Sequence, residues 1–225
     1  MTTRASLFSI VTTICVAAAI LTAPHAFAKA VIIEPGERID YINADGGRNQ
    51  YCTLGHVYNG ADMHVYAVTA GHCRNSTNGS VRTERSGQTG TFLRTLVEPA
   101  SAGGADYGLI DFGIDPLAGA YIGEVRTIST SHPEPQIGQT VCRSGISSGT
   151  HCGTIADRQG RDQYLTTGMP DSIPGDSGAP VWTRKGNRPA EIIGIWLGEK
   201  ITGVGRHTYG RFASLAEGLR ILAAN

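Results

Sequence analysis

Three short segments of the 225-residue chain carry residue types that can do chemistry together. They are Thr69-Ala70-Gly71-His72-Cys73, Asp106-Tyr107-Gly108-Leu109-Ile110 and Pro174-Gly175-Asp176-Ser177-Gly178-Ala179-Pro180. A Gly-Asp-Ser-Gly tetrapeptide arises by chance in a chain of this length about a few times in a thousand at average residue usage. A His-Cys closing one apolar run and an Asp opening another make coincidence rarer still. The chemistry that fits is acyl transfer. A serine hydroxyl near neutral pH is a poor nucleophile and needs a neutral imidazole within hydrogen-bond reach to take its proton. The imidazole needs a buried carboxylate to set its tautomer and to stabilise the imidazolium that forms. On this reading Ser177 is the nucleophile, His72 the base and Asp106 the orienting acid. Asp111 and Asp115 compete for the last role, and Asp106 is preferred because the apolar run follows it directly. Gly175 permits a tight turn in which the N–H groups of Gly175 and Ser177 aim at one oxygen. Such an oxyanion hole contributes about 10²–10³ in rate per donor.

These segments must be held by short strands. Gly is abundant, with 30 residues, and Gly-rich turns separate many β-branched runs. Strands are expected at Ala30–Ile33, His64–Thr69, Thr91–Val97, Tyr107–Phe112, Thr140–Arg143, Gly153–Ile155, Ala179–Trp182 and Glu191–Leu197. The stretch 29–50 otherwise reads as a lead-in, and 71–90 as mostly loop or short edge strands. Near the C-terminus the period changes. Leu215, Leu219 and Leu222 recur at helical spacing after Ser214, which predicts one amphipathic helix. Many short strands with turns between them imply an all-β sandwich or barrel. A Pro-broken connector at Ser131–Pro135 marks the middle. The organisation expected is a leader at 1–28, a first barrel within 29–125 and a second barrel plus terminal helix within 126–225.

The leader is read from its pattern. Arg4 is the only charge before Lys29, an apolar run follows from Leu7 to Ala23, and Ala26-Phe27-Ala28 closes it. This describes a secretory signal cut after Ala28, giving a secreted protein with no stable membrane association. Cleavage removes Cys15 and leaves Cys52, Cys73, Cys142 and Cys152 in an oxidising compartment, where an even count reads as two disulfides. Three pairings are possible, and sequence proximity favours Cys52–Cys73 and Cys142–Cys152. The whole chain has 19 basic and 19 acidic residues, a balance that excludes nucleic acid as the main partner. No metal is expected: no Cys pair has structural-zinc spacing, and His56, His64, His132, His151 and His207 have no ligand spacing. No cofactor is expected, and a monomer is.

The three segments closely resemble the chymotrypsin-like serine proteases. Val141-Cys142-Arg143-Ser144-Gly145, Thr150-His151-Cys152-Gly153-Thr154 and Cys52-Thr53-Leu54-Gly55 are similar to the bacterial streptogrisin and α-lytic branch. The resemblance covers roughly residues 38–220. It implies two six-stranded antiparallel barrels with the catalytic residues at their junction, and the disulfide pairing that proximity favours. It implies a serine endopeptidase that cleaves protein or peptide substrates through an acyl-enzyme. It also implies that Arg143 pairs with Asp176 and supports the oxyanion loop without proteolytic activation. The chain departs from the pattern at two places. Ala179 replaces a Gly, and Leu197 falls where relatives carry a Ser that supports the catalytic Asp. The strand Gly194–Gly198 is expected to line the substrate cleft. Asp171 sits six residues before Ser177, the trypsin spacing for a pocket floor that selects Arg or Lys. Pro174 instead matches the bacterial spacing, which has one more residue and puts Asp171 on the pocket wall or in solvent. Glu199, after Gly198, could reach the same pocket. The alternative function is a catalytically weak or silent binding module on the same fold.

Overall fold

The computed structural model describes residues 30–224, apart from 77, 100–103 and 203–206 and the side chains of 48, 49 and 207. The expected leader and Cys15 lie outside the described residues. The first half of the chain contributes β1 (Ile32–Ile33), β2 (Arg38–Asn43), β3 (Arg48–Thr53), β4 (His56–Asn59), β5 (Val65–Thr69), β6 (Gly79–Thr83), β7 (Thr89–Val97) and β8 (Asp106–Asp111). Three short strands, β9 (Leu117–Ala118), β10 (Tyr121–Ile122) and β11 (Val125–Ile128), lead across. The second half contributes β12 (Thr140–Gly145), β13 (Gly149–Gln159), β14 (Gln163–Thr167), β15 (Pro180–Thr183), β16 (Ala190–Thr202), β17 (His207–Ser214) and the helix α1 (Leu215–Ala223).

The second half is a closed barrel. Its strands run in the order β16-β15-β12-β13-β14-β17, and β17 pairs back onto β16 to leave no open edge. The first half is an open half-barrel in the order β3-β2-β6-β7-β8-β5-β4. Its two edge strands, β3 and β4, are consecutive in the chain and parted only by Leu54 and Gly55, so one bent stretch serves both edges. The all-β, chymotrypsin-like architecture with one C-terminal helix follows. Both expected disulfides are present, Cys52–Cys73 and Cys142–Cys152.

Several strands escape a sequence reading for a physical reason. In β2, Ile39 and Tyr41 face the core, yet Asp40 is also buried. Arg38 bonds Asp40 at 2.8 Å, so the charges that made this stretch look like a lead-in neutralise each other. β6 offers only Val81 as a buried apolar side chain, with Thr83 buried beside it. In β14, Gln163 and Thr166 are buried although polar.

The helix α1 begins as its sequence predicts. Ser214 Oγ accepts from the Glu217 N–H at 3.3 Å, a cap whose loss typically costs about 1 kcal/mol. Leu215, Gly218 and Leu222 form its buried face. The helix packs across the junction onto β8. Gly218 lies against the Tyr107 ring, and Tyr107 Oη donates to the Ser214 carbonyl at 2.8 Å.

One buried base sits between the two halves. His56 on β4 is almost fully buried, and neither ring nitrogen has a hydrogen-bond partner. Its ring stacks on Tyr58 and meets the edge of His132, from the mid-chain connector, at 4.5 Å between centroids. Burial, with a smaller contribution from His132, pulls the His56 pKa down to about 3. The folded chain therefore keeps His56 neutral, whereas the unfolded chain takes up this proton below about pH 6.5. The His56 contribution to stability is thus lost as pH falls from about 6.5 toward 3. We expect His56→Phe to remove on the order of 2 kcal/mol of the stability difference between pH 7 and pH 5. Urea midpoints of the two proteins at both pH values check this; equal pH dependence would refute it.

Candidate active site

His72 lies in a 3₁₀ turn, Gly71–Cys73, at the end of β5. Gly71 fits there because a Cβ would collide with the carbonyls of Leu96 and Tyr107. The turn is fixed from two sides: the Cys52–Cys73 disulfide anchors one, and Asp106 the other. Asp106, the first residue of β8, is 7% exposed. Its Oδ1 accepts the His72 backbone N–H at 2.9 Å, and its Oδ2 accepts the His72 Nδ1–H at 2.8 Å. Burial pushes the Asp106 carboxyl up. The hydrogen bonds from His72 and the nearby positive charge of Arg211 outweigh it and hold the group below its ordinary value. Neither residue of the second His–Asp pair, His64 with Asp111 at 2.9 Å, lines the cavity that holds His72 and Ser177. Asp106 is thus the acid that meets His72.

Ser177 shares a cavity of about 400 Å³ with His72, together with Gln50, Tyr51, Cys52, Pro174 and Gly175. No hydrogen bond joins Ser177 Oγ to the His72 ring in this arrangement. The loop that carries Ser177 turns at Gly175, whose φ of +103° is the left-handed region. A Cβ there would also run into the Tyr51 ring and the Ser147 hydroxyl. Among the described residues the N–H groups of Gly175 and Ser177 have no acceptor, while the neighbouring Asp176, Gly178 and Ala179 N–H groups all do.

A residue that sequence reasoning missed holds this loop. Thr53 is fully buried at the end of β3. Its N–H donates to the Ser177 carbonyl at 2.9 Å, and its hydroxyl donates to the Gly175 carbonyl at 2.8 Å. The same hydroxyl accepts from the Ile146 N–H at 3.1 Å. One threonine of the first half thus stitches both the nucleophile loop and the β12–β13 turn of the second. The signal was present in Cys52-Thr53-Leu54-Gly55, but nothing in its types announced this role.

Asp176 and Arg143 correct an expectation. Asp176 is fully buried, and its partners are backbone amides. Oδ1 accepts from Ser147 and Ser148, each at 3.0 Å, and Oδ2 accepts from Ile173 at 3.1 Å. Among the described residues, no Arg143–Asp176 ion pair forms within 4.0 Å. Arg143, also fully buried, donates through Nη2 to Ser148 Oγ at 3.1 Å and to the Pro170 carbonyl at 3.4 Å. Its guanidinium lies 4.5 Å over the Trp196 ring. Burial lowers its pKa, opposed first by Asp176 and then by Glu199 and Asp171. The turn 146–148 supplies two of the three amides on Asp176, and Arg143 reaches that carboxylate through Ser148.

The expected specificity residues scatter. Asp171 is exposed. Leu197 is buried in the core, and Gly198 has φ +106° at a bulge of β16. Glu199 bonds Ser172. Asp106 receives donors only from His72 among the described residues, and Leu197 offers it no hydroxyl.

No family profile matches the chain. An uncharacterized protein of Mycobacterium tuberculosis is 30% identical over 197 residues, covering 82% of this chain and 81% of that protein. Serine protease 2 of Streptomyces fradiae is 34% identical over 151 residues, covering 62% of this chain and 82% of that enzyme. The chain belongs to the bacterial chymotrypsin-like serine proteases. Solved members share the fold. Nocardiopsis protease matches with a TM-score of 0.62 at 21% identity, over 85% of this chain and 96% of that one. A chymotrypsin of Cellulomonas bogoriensis matches with a TM-score of 0.57 at 25% identity, over 85% and 96%.

A buried carboxylate with three amide donors cannot be removed cheaply in such a protease. Each amide left unsatisfied costs about 1–3 kcal/mol. We expect Asp176→Ala to destabilise by more than about 3 kcal/mol, read from urea unfolding.

Proposed function

We propose that this family member is a secreted serine endopeptidase acting through an acyl-enzyme, with Ser177, His72 and Asp106 as its triad. The observation that carries the reading is the convergence in one cleft of Ser177, a His72 bonded to Asp106, and two residues whose amides have no acceptor among the described residues. Ser177 Oγ attacks the scissile carbonyl carbon as His72 Nε2 takes the hydroxyl proton. The carbonyl oxygen gains the negative charge and accepts from the Gly175 and Ser177 N–H groups. Collapse breaks the C–N bond, and His72 returns the proton to the leaving amine. Water, deprotonated by His72, then frees the acyl group and regenerates Ser177. Asp106 holds the Nδ1–H tautomer and stabilises the imidazolium throughout. Arg143 and Asp176 serve as positioning residues that keep the 146–148 turn and the nucleophile loop in register.

Substrates on this reading are proteins or peptides. A basic preference gains no support, because Asp171 is exposed and Glu199 is engaged. Two disulfides suit an oxidising compartment, and among the described residues no helix is long and apolar enough to cross a membrane. Intact mass of the exported protein is expected to begin at Lys29; retention of residues 1–28 would contradict cleavage. A fluorophosphonate should label the wild type and not Ser177→Ala. Asp106→Asn should slow that labelling by about 10⁴. A wild type that stays unlabelled would favour the silent binding module.

A further inference from the structure

The peptide unit that joins Pro174 to Gly175 lines the cavity with Ser177 and His72, and its N–H is the Gly175 amide that has no acceptor among the described residues. A trans peptide is planar, with its carbonyl and its N–H pointing in opposite directions, so whatever fixes the Pro174 carbonyl also aims the Gly175 N–H. That carbonyl accepts from two hydroxyls, Ser147 Oγ at 2.8 Å and Tyr51 Oη at 3.2 Å. Tyr51 belongs to β3 of the open half-barrel and Ser147 to the β12–β13 turn of the closed barrel, and their hydroxyl oxygens are 3.4 Å apart. Two lone pairs let one carbonyl oxygen take both donors. The Tyr51 ring is held in turn, with the Arg38 guanidinium 4.1 Å from its centroid and Arg38 Nε bonded to the buried Asp40 at 2.9 Å. Among the described residues no other hydrogen bond reaches this peptide unit; the Gly175 carbonyl that Thr53 holds belongs to the next one. Gly175 has no Cβ and passes between positive and negative φ at little cost, so the glycine itself does not stop the unit from turning over. Turned over, it would present a carbonyl oxygen where the N–H now stands, and that oxygen would repel a developing oxyanion.

We propose that Tyr51 and Ser147 are positioning residues whose hydroxyls hold the Pro174–Gly175 peptide with its N–H toward the cavity, and so keep the oxyanion site formed before a substrate arrives. They act through the peptide and touch no reacting atom. Each hydroxyl alone leaves the carbonyl one partner, so the loss of both has a larger effect than the two single losses combined. The proposal rests on the reading of Ser177 as nucleophile and of the Gly175 N–H as a donor to the oxyanion.

The test deletes the hydroxyls and keeps the rest. Tyr51→Phe retains the ring, and Ser147→Ala retains the amide that serves Asp176. On a peptide nitroanilide that the wild type cleaves, each single variant is expected to lower kcat by about threefold to tenfold. The double variant should lower it by about 100-fold, as for a lost oxyanion donor. KM should stay near the wild-type value, because the lost interaction is one made only in the transition state. A second readout separates positioning from a distorted cleft. The same peptide as an aldehyde forms a tetrahedral adduct with Ser177 and places an oxygen in the hole; as an alcohol it forms none. Aldehyde affinity should fall in step with kcat, while alcohol affinity should not move. A double variant that keeps the wild-type kcat overturns the proposal, and so does an equal loss of aldehyde and alcohol affinity. If the double variant does not fold, the single variants decide, and wild-type kcat in both overturns it. A wild type that reacts with neither nitroanilide nor fluorophosphonate overturns the protease reading and this proposal with it. A reactive wild type matched by its variants overturns the proposal alone.

Discussion

A carboxylate with no access to water must find its donors inside the protein, and Asp176 finds three of them in the backbone around Ser177. That constraint shapes the site. To offer their N–H groups to one oxygen, Ser147 and Ser148 must turn tightly at the end of β12. To offer its own to the other oxygen, Ile173 must fold back over the residue three places on. With those amides turned inward, the N–H groups of Gly175 and Ser177 have no acceptor among the described residues, and both residues line the cavity that holds His72. The acid next to Ser177 thus gathers the 146–148 turn and Ile173 around itself, and its charge is met by backbone amides. Net charge, zero for the whole chain, carries none of this information.

The second requirement is that two separately hydrogen-bonded halves hold their parts in register to within a few tenths of an ångström. His72 and Asp106 come from the open half-barrel, and Ser177 from a loop between two strands of the closed one. Thr53 bridges them with its amide and its hydroxyl, three bonds from one buried side chain and its backbone. Bonds of this kind are worth about 0.5–1.5 kcal/mol each when made and more when one partner is left behind. Their value here is geometric, since they tie the main chain on both sides of Asp176 to the strand that carries Cys52. The disulfide from Cys52 to Cys73 then passes the same strand's position to His72.

The candidate site residues stand out in the sequence more plainly than the architecture does. His72, Asp106 and Ser177 stand in motifs whose residue types have few other uses together, and the structure finds His72 on Asp106 at hydrogen-bond distance. The strands with plain apolar runs, such as β8 and β16, were legible for the same reason. β2, β6 and β14 were not, because their buried positions include Asp40, Thr83 and Gln163, whose partners are distant in sequence. The Arg143–Asp176 pair failed as a direct contact for a related reason. Residue type announces a charge, but whether a backbone amide reaches it first depends on how a turn closes. Glu199 was legible as a nearby acid, whereas its commitment to Ser172 depends on the bulge of β16 at Gly198.

The helix α1 has a bearing on the order of events during synthesis. It grows out of β17 in the closed barrel, yet its Gly218 face lies against Tyr107, next in sequence to Asp106. Arg94 on β7 likewise donates to the Leu222 carbonyl. The first half of the chain emerges first and can form its sheet early. The buttress behind the strand of Asp106 is made of residues that follow both sheets in the chain. Until they are made, the strand that carries Asp106 stands without this backing, so its packing is completed only after both sheets have left the ribosome.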